Sequence, residues 1–212
     1  REMTAKNGAF YSSLDADSKT KTGELEEGAF YVWQVEDLKR LLAEDFYLFA
    51  DYYNVNSYGL WEDNNYVLIR SDSDTVFTKK HSISINELNK KKSVWKTILF
   101  KERAKRDRPR LDDKVLTSWN ALMIKGYTDA YRVFGNQEFL DAAMTNAEFI
   151  LKTQTKEDGG LYHNFKESKS TINGYLEDYA AVVEAFLNLY ENTLDEKWLT
   201  ASRSYTNYAY DH

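Results

Sequence analysis

Three acidic pairs stand where the sequence is least regular: Asp15 and Asp17 in LDADS, Asp112 and Asp113 in LDDK, and Glu177 and Asp178 in GYLEDYA. Carboxylates from different segments are what cleavage of a glycosidic bond needs. One protonates the leaving oxygen, the other acts as base or nucleophile, and their separation sets the stereochemistry. The same residues have a plainer use. Asp112 or Asp113 is placed to cap a helix beginning near Lys114, and Glu177 with Asp178 falls in a first turn, where the helix dipole favours anions. Aromatic residues crowd the same segments, among them Trp33, Trp61, Tyr162 and Tyr175. Such rings stack on sugars in a concave site, and equally well pack onto the helices beneath them. The run from Lys101 to Arg110 concentrates positive charge. It reads as an anion clamp, as partners for Asp107, Asp112 and Asp113, or as a solvated helix end. His163 is the one histidine in a long connection; it suits general acid or base work, although no neighbour in sequence orients it.

Composition narrows the chemistry further. The 212 residues include no cysteine, which excludes disulfides, thiolate nucleophiles and zinc–cysteine clusters within this chain. His81, His163 and His212 are too widely spaced for a metal-binding HxxxH pair, so neither a metal nor a cofactor is expected. A net charge of -6 argues against a nucleic-acid partner. No apolar run approaches the ~20 residues of a membrane span, and no signal-peptide pattern is present, so a soluble, cytoplasmic protein is expected. The chain starts with Arg rather than Met, so a native start elsewhere is expected.

Positioning falls to helices. The single proline, Pro109, is far below the usual ~5% and implies long uninterrupted elements. From Asp112 to Phe134 the apolar positions Leu116, Trp119, Met123, Tyr127, Ala130 and Phe134 recur at helical steps. A narrower stripe runs from Leu140 to Leu151, and the two patterns return over Tyr175–Leu194 and Lys197–Tyr210. They keep register: a shift of 59 residues takes Tyr131 to Tyr190, Leu140 to Leu199 and Phe149 to Tyr208. The unit is a helical hairpin that cannot bury its inner face alone, so several must stand side by side as a solenoid or ring. Turns within a hairpin are short. The connections Lys101–Asp113 and Thr155–Gly174 are long, which makes that end of the array the expected working face. Upstream, helices are expected over Val35–Tyr53 and Ser84–Ala104, with short strands at Gly59–Trp61 and Tyr66–Ile69. The identical tetrapeptides Gly8–Tyr11 and Gly28–Tyr31 suggest the two strands of a β-hairpin. No Gly/Ser/Pro-rich linker divides residues 1–212, which read as one domain.

Five ordered strings carry a family resemblance: REMT (1–4), GAFYSSLDADS (8–18), GAFYVW (28–33), RPRLDDKVLTSWNALM (108–123) and GYLEDYA (174–180). Together they resemble the thioredoxin-domain-containing, spermatogenesis-associated protein family, across essentially the whole chain. The resemblance implies a thioredoxin-like domain followed by an (α/α)6 toroid related to N-acylglucosamine 2-epimerases and six-hairpin glycosidases. This chain would be an internal part of that toroid. Two departures are visible: Arg110 stands where the family usually has His, and its GNFEG-type segment reads here as Gly59–Asp63.

The expectation is therefore a mainly α fold, a partial (α/α) toroid of helical hairpins with short β-hairpins in the long loops. Six hairpins would need roughly 350 residues, so the chain supplies about three and a half and forms a single incomplete domain. As a carbohydrate-processing, glycosidase- or epimerase-like domain it would use Asp15, Asp17, Asp113 and Asp178 as acid/base or substrate-orienting groups. Trp33, Trp61, Arg110 and Tyr175 would hold a sugar or sugar-like molecule. The alternative is a non-catalytic toroid that supports the thioredoxin-like domain. Its remaining partners would be the rest of the same protein and, through apolar flanks, a second copy.

Overall fold

The computed structural model describes residues 2–212; Arg1, the first residue of the REMT string, lies outside them. The chain divides into two compact units, one of Asp15–Arg110 and one of the stretch up to Leu14 together with Leu111–His212. Among the described residues no helix is long and apolar enough to cross a membrane.

In the 15–110 unit a hairpin pairs Asp17–Lys19 antiparallel with Leu25–Glu27 around a polar turn. A hairpin does lie between the repeated tetrapeptides, but they are not its strands. Gly28–Tyr31 forms a turn closed by Tyr31 and Val32 N–H groups on the Gly28 carbonyl, while Phe10 makes only an isolated bridge to Thr4. Helices α1 (Val35–Leu42) and α2 (Phe46–Tyr52) replace the single expected helix. The chain breaks at Ala43, whose φ is +46°, and passes through a short 3-10 turn, Ala43–Asp45. Periodicity carries no sign of the break because Leu38, Leu42, Phe46 and Phe49 all bury into one core. Strand Trp33–Gln34 pairs with Asn65–Tyr66, so Tyr66 is a strand residue and Val67–Ile69 is not.

Helix α3 (Asp74–His81) has no counterpart in the expected elements. It buries a single side chain, Phe77, and so lacks an apolar stripe. Its signals are terminal: the Ser73 hydroxyl accepts the Val76 N–H, and Lys79, Lys80 and His81 crowd the last turn. Helix α4 (Ile85–Arg103) contributes Leu88, Trp95 and Leu99 to the core.

The second unit makes the repeat visible as geometry. Helices α5 (Thr117–Phe134) and α6 (Gln137–Phe149) form one hairpin, and α7 (Leu176–Thr193) and α8 (Glu196–Asp211) form the next. Their starts differ by 176 − 117 = 59 and 196 − 137 = 59 residues. The turns match as well: Gly135 and Leu194 are both left-handed C-caps, and Asn136 and Asp195 each accept a first-turn N–H. Tyr179, Val182, Phe186 and Leu189 on α7 share a core with Ala121 and Ile124 on α5 and with Trp198 on α8. The fold class is the expected one of helical hairpins with short β pairs in the long connections.

Those pairs fasten the connections to the helix starts. Ser13–Leu14 pairs with Leu111–Asp112, and Val115–Leu116 with Asn164–Phe165. Asn120 clamps the first GAF string, accepting the Phe10 N–H at 2.7 Å and donating to the Phe10 carbonyl at 3.0 Å. Asn146 donates to the Gly8 carbonyl at 3.1 Å. Because the segment before α5 is extended, the helix begins three residues after Lys114, and neither Asp112 nor Asp113 caps it; its N-cap is Leu116.

Candidate functional site

Helix α5 starts with a difficulty that its own sequence does not solve. Its first-turn N–H groups need acceptors, its N-cap Leu116 offers no side-chain oxygen, and its first turn has no acidic residue. The acceptors come from elsewhere in the unit. The Thr117 N–H donates to the His163 carbonyl at 2.9 Å, and the Ser118 N–H donates to Asp178 Oδ1 at 2.9 Å. Asp178 also serves its own helix, where Oδ2 accepts the Tyr175 N–H at 2.8 Å while the Asp178 N–H returns to the Tyr175 carbonyl at 2.9 Å. A single carboxylate, 0% exposed, thus faces the positive ends of both α5 and α7. The capping role expected for Asp178 is real and double.

Asp178 has a further partner. Oδ2 lies 2.9 Å from His163 Nδ1. A carboxylate only accepts, so Nδ1 is the donating nitrogen, and in the neutral tautomer Nε2 is the one left with the lone pair. No hydrogen bond holds Nε2 among the described residues. The imidazole therefore has the orienting neighbour that the local sequence does not supply. Tyr175, 55% exposed, lies against it with ring centroids 4.7 Å apart.

The loop bearing His163 is pinned from below. The Thr117 hydroxyl donates to the Tyr162 carbonyl at 2.6 Å and accepts from buried Gln154 Nε2 at 2.7 Å. Gln154 Oε1 accepts the Ser170 hydroxyl at 2.6 Å, tying the far side of the loop to the same point. Gln154 ends a π turn, Ile150–Gln154, that extends α6. The His163 N–H donates to the Ile172 carbonyl and the Gly174 N–H to the Leu161 carbonyl, each making the loop double back. Gly174 is required there, because a Cβ would lie 2.8 Å from the Leu161 oxygen. A ring fixed through its backbone and through Nδ1, with Nε2 available, is a preorganised proton acceptor.

The other expected site residues have different settings. Asp113 is exposed and 3.3 Å from Lys166, and Asp112 pairs with Lys114 at 3.0 Å. Burial raises the Asp112 pKa, but the Lys114 ammonium and backbone N–H outweigh it and leave the pKa lowered. In the 15–110 unit, Asp15 pairs with Arg110 at 3.3 Å, and Asp17 is an exposed hairpin residue opposite Glu27. Trp33 is buried at 3% exposure beneath Arg106, whose guanidinium lies 4.1 Å from its ring centroid. Arg106 also donates to the carbonyls of Ala29, Phe30 and Val32 and is partly buried, so it is a structural staple of the Gly28–Tyr31 turn. Trp61 is 45% exposed, just before a turn in which Asp63 and Asn64 both have positive φ. The structure thus joins Asp178 and Tyr175 to His163 in one unit and pairs Asp15 with Arg110 in the other. Among the described residues no group of three His, Cys, Asp or Glu could hold a metal ion.

Comparison with known proteins adds relatives. No model of a known protein family matches the chain. The chain is 31% identical over 225 residues to an uncharacterised protein of Caenorhabditis elegans, covering 94% of this chain and 31% of that protein. It is 30% identical over 231 residues to spermatogenesis-associated protein 20 of Homo sapiens, covering 94% of this chain and 29% of that protein. The chain thus spans about a third of the length of these relatives. Among solved structures, cellobiose 2-epimerase from Bacillus thermoamylovorans aligns with 97% of this chain and 50% of its own, at 17% identity and a TM-score of 0.44. An unsaturated glucuronyl hydrolase specific for heparin aligns with 97% and 63%, at 14% identity and a TM-score of 0.41.

Proposed function

We propose that this chain, homologous to a segment of the spermatogenesis-associated protein 20 sequences, contributes the proton-transfer site of a carbohydrate-acting (α/α) toroid, with His163 as the reacting base. The observation that carries the reading is the His163–Asp178 pair with Nε2 unengaged. Nε2 takes a proton from a sugar carbon next to a carbonyl, leaving an enolate, and Asp178 stabilises the imidazolium that results. The Nε2 proton exchanges with solvent before a proton is delivered back to the carbon, and delivery to the opposite face of the enolate inverts the centre. Asp178 is then a positioning residue, and the exposed ring of Tyr175 packs against the sugar. This favours an epimerase-like over a glycosidase-like reaction. Asp178 is enclosed by three donors, Asp15 and Asp113 are each paired with a cation, and Asp17 lies on an exposed hairpin, so no two of the four expected carboxylates face each other free across a cleft.

The second reading, a scaffold without catalysis, is favoured by those same pairings. Proton exchange separates the two. The protein is incubated in D2O with reducing mono- and disaccharides, and deuterium at the carbon next to the carbonyl is followed by NMR. Exchange above background, lost at least 100-fold in His163→Gln and retained in Asp113→Asn, is expected. Parent protein that exchanges no sugar faster than His163→Gln would establish the scaffold. Exposed apolar residues on α5 and α7, including Leu122, Val133, Leu176 and Leu187, are proposed to pack against other parts of the longer protein.

A further inference from the structure

The 15–110 unit contains an open cleft of about 530 Å³, within the roughly 300–1,000 Å³ usual for small-molecule sites. Its apolar wall is aromatic, formed by Trp33, Phe49, Tyr53 and Trp95. Its polar lining comes from one stripe of α4, where Asn89, Ser93, Lys96 and Arg103 recur at steps of four, three and seven. The polar groups on this stripe are unemployed. Among the described residues the side chains of Asn89, Ser93 and Lys96 have no hydrogen-bond or ion-pair partner, and neither does the Tyr53 hydroxyl. Arg103 has no carboxylate partner either; its guanidinium sits over the rings of Phe30, Tyr31 and Phe100 at 5.4–5.8 Å.

Charge tells what such a cleft would take. The lining holds three cations, Lys92, Lys96 and Arg103, and no Asp or Glu. Only Lys92 is neutralised, by Asp74 at 2.7 Å, and Asp74 is shared with Arg70 at 3.1 Å. A cleft with cations in its lining and low-dielectric aromatic walls concentrates anions. The Tyr53 hydroxyl is a donor at neutral pH, and burial raises its pKa further.

We infer that this cleft binds a ring-bearing anion, a sugar phosphate or sugar carboxylate, with its ring against Tyr53 and the aromatic wall and its charged group on Lys96 and Arg103. Arginine and lysine suit both phosphate and carboxylate, and a ring carrying hydroxyls would also engage Asn89 and Ser93. The inference rests on the cleft alone and stands whether or not His163 transfers protons.

Titration of the whole chain with four probes tests it: glucose 6-phosphate, glucuronate, glucose and inorganic phosphate. The readout is the tryptophan indole N–H signals in NMR spectra. Saturable shifts of two indole signals are expected with glucose 6-phosphate or glucuronate, and whichever binds more tightly identifies the anion. Glucose and inorganic phosphate, each carrying half of the recognised chemistry, should bind at least tenfold more weakly. Lys96→Ala should weaken the preferred probe about tenfold and Ser93→Asp more. Both substitutions are on the exposed side of α4, and an unchanged circular dichroism spectrum verifies the fold. No saturable shift with any probe would overturn the inference. So would equal binding of glucose or phosphate, or affinity unchanged in both folded variants.

Discussion

Replacing Asp178 by Asn separates the structural and chemical duties of this carboxylate, and its cost follows from the geometry. Oδ1 accepts one N–H at 2.9 Å, from Ser118, and Oδ2 accepts two, from Tyr175 at 2.8 Å and His163 at 2.9 Å. An amide retains one oxygen. If it faces Ser118, the NH2 group opposes the Tyr175 N–H and His163; if it faces those two, the NH2 opposes the Ser118 N–H. Either way a buried backbone donor is stranded, costing about 1–3 kcal/mol. The charge at two helix N-termini is lost too, at about 0.3–1 kcal/mol each. Asp178→Asn should therefore lose about 2–5 kcal/mol, or roughly 4–20 °C in Tm for a chain of this size. Asp113→Asn, at an exposed pair with Lys166, should lose no more than about 1 kcal/mol. With the amide nitrogen on its side the imidazole must move its proton from Nδ1 to Nε2, and with the amide oxygen on its side Nδ1 stays protonated while the Ser118 N–H is stranded; NMR of the ring nitrogens tells the two apart. Urea unfolding gives the first quantity and the ring spectrum the second. An Asp178→Asn protein within about 0.5 kcal/mol of its parent, with His163 still protonated at Nδ1, would refute the reasoning.

Three other substitutions probe the frame around the site. Leu194 occupies the left-handed C-cap of α7 with φ +55°, where its repeat partner Gly135 has φ +65°, and it is 75% exposed. Leu194→Gly should stabilise by about 0.5–1 kcal/mol and Gly135→Leu should destabilise similarly, as read from urea midpoints. Gly174→Ala would place a Cβ 2.8 Å from the Leu161 oxygen, displacing Tyr175 and costing about 1–3 kcal/mol. Gly126→Ala, with nothing within 4 Å of the new Cβ, should instead gain up to about 1 kcal/mol. Asp45 tests the other unit: the Lys91 hydrogen bond lowers its pKa, burial opposes this, and the Trp95 N–H adds to it. A depressed carboxylate stabilises above its unfolded value of ~3.9, and that contribution fades as pH falls through the lower folded value. The stability gap between the parent and Asp45→Asn should thus be widest at neutral pH and close below pH ~4; a gap independent of pH would show that the pair contributes nothing.

The sequence made the second unit far more legible than the first, and the reason is physical. Periodicity reports which faces bury. Helices α5 to α8 are long, amphipathic and repeated, so the starts of α7 and α8 fell within a residue of where their stripes pointed. Helix α3 buries one side chain and advertises itself only through its caps, and the break between α1 and α2 leaves their shared stripe intact. The site was legible in its parts but not in its connection. His163 and Asp178 lie 15 residues apart across a loop that doubles back, a spacing that matches no helical or strand period. One signal did exist. The 59-residue register sets Trp119 of α5 opposite Asp178 of α7 (119 + 59 = 178), which leaves α5 without an acid at the position where α7 has one. A buried helix start lacking its own cap must borrow one, and the nearest unspent carboxylate belongs to the neighbouring repeat. Capping and positioning by Asp178 are therefore one and the same: a carboxylate held by two helix ends cannot move, and an acceptor that cannot move fixes Nδ1 of His163 as the nitrogen that donates to it.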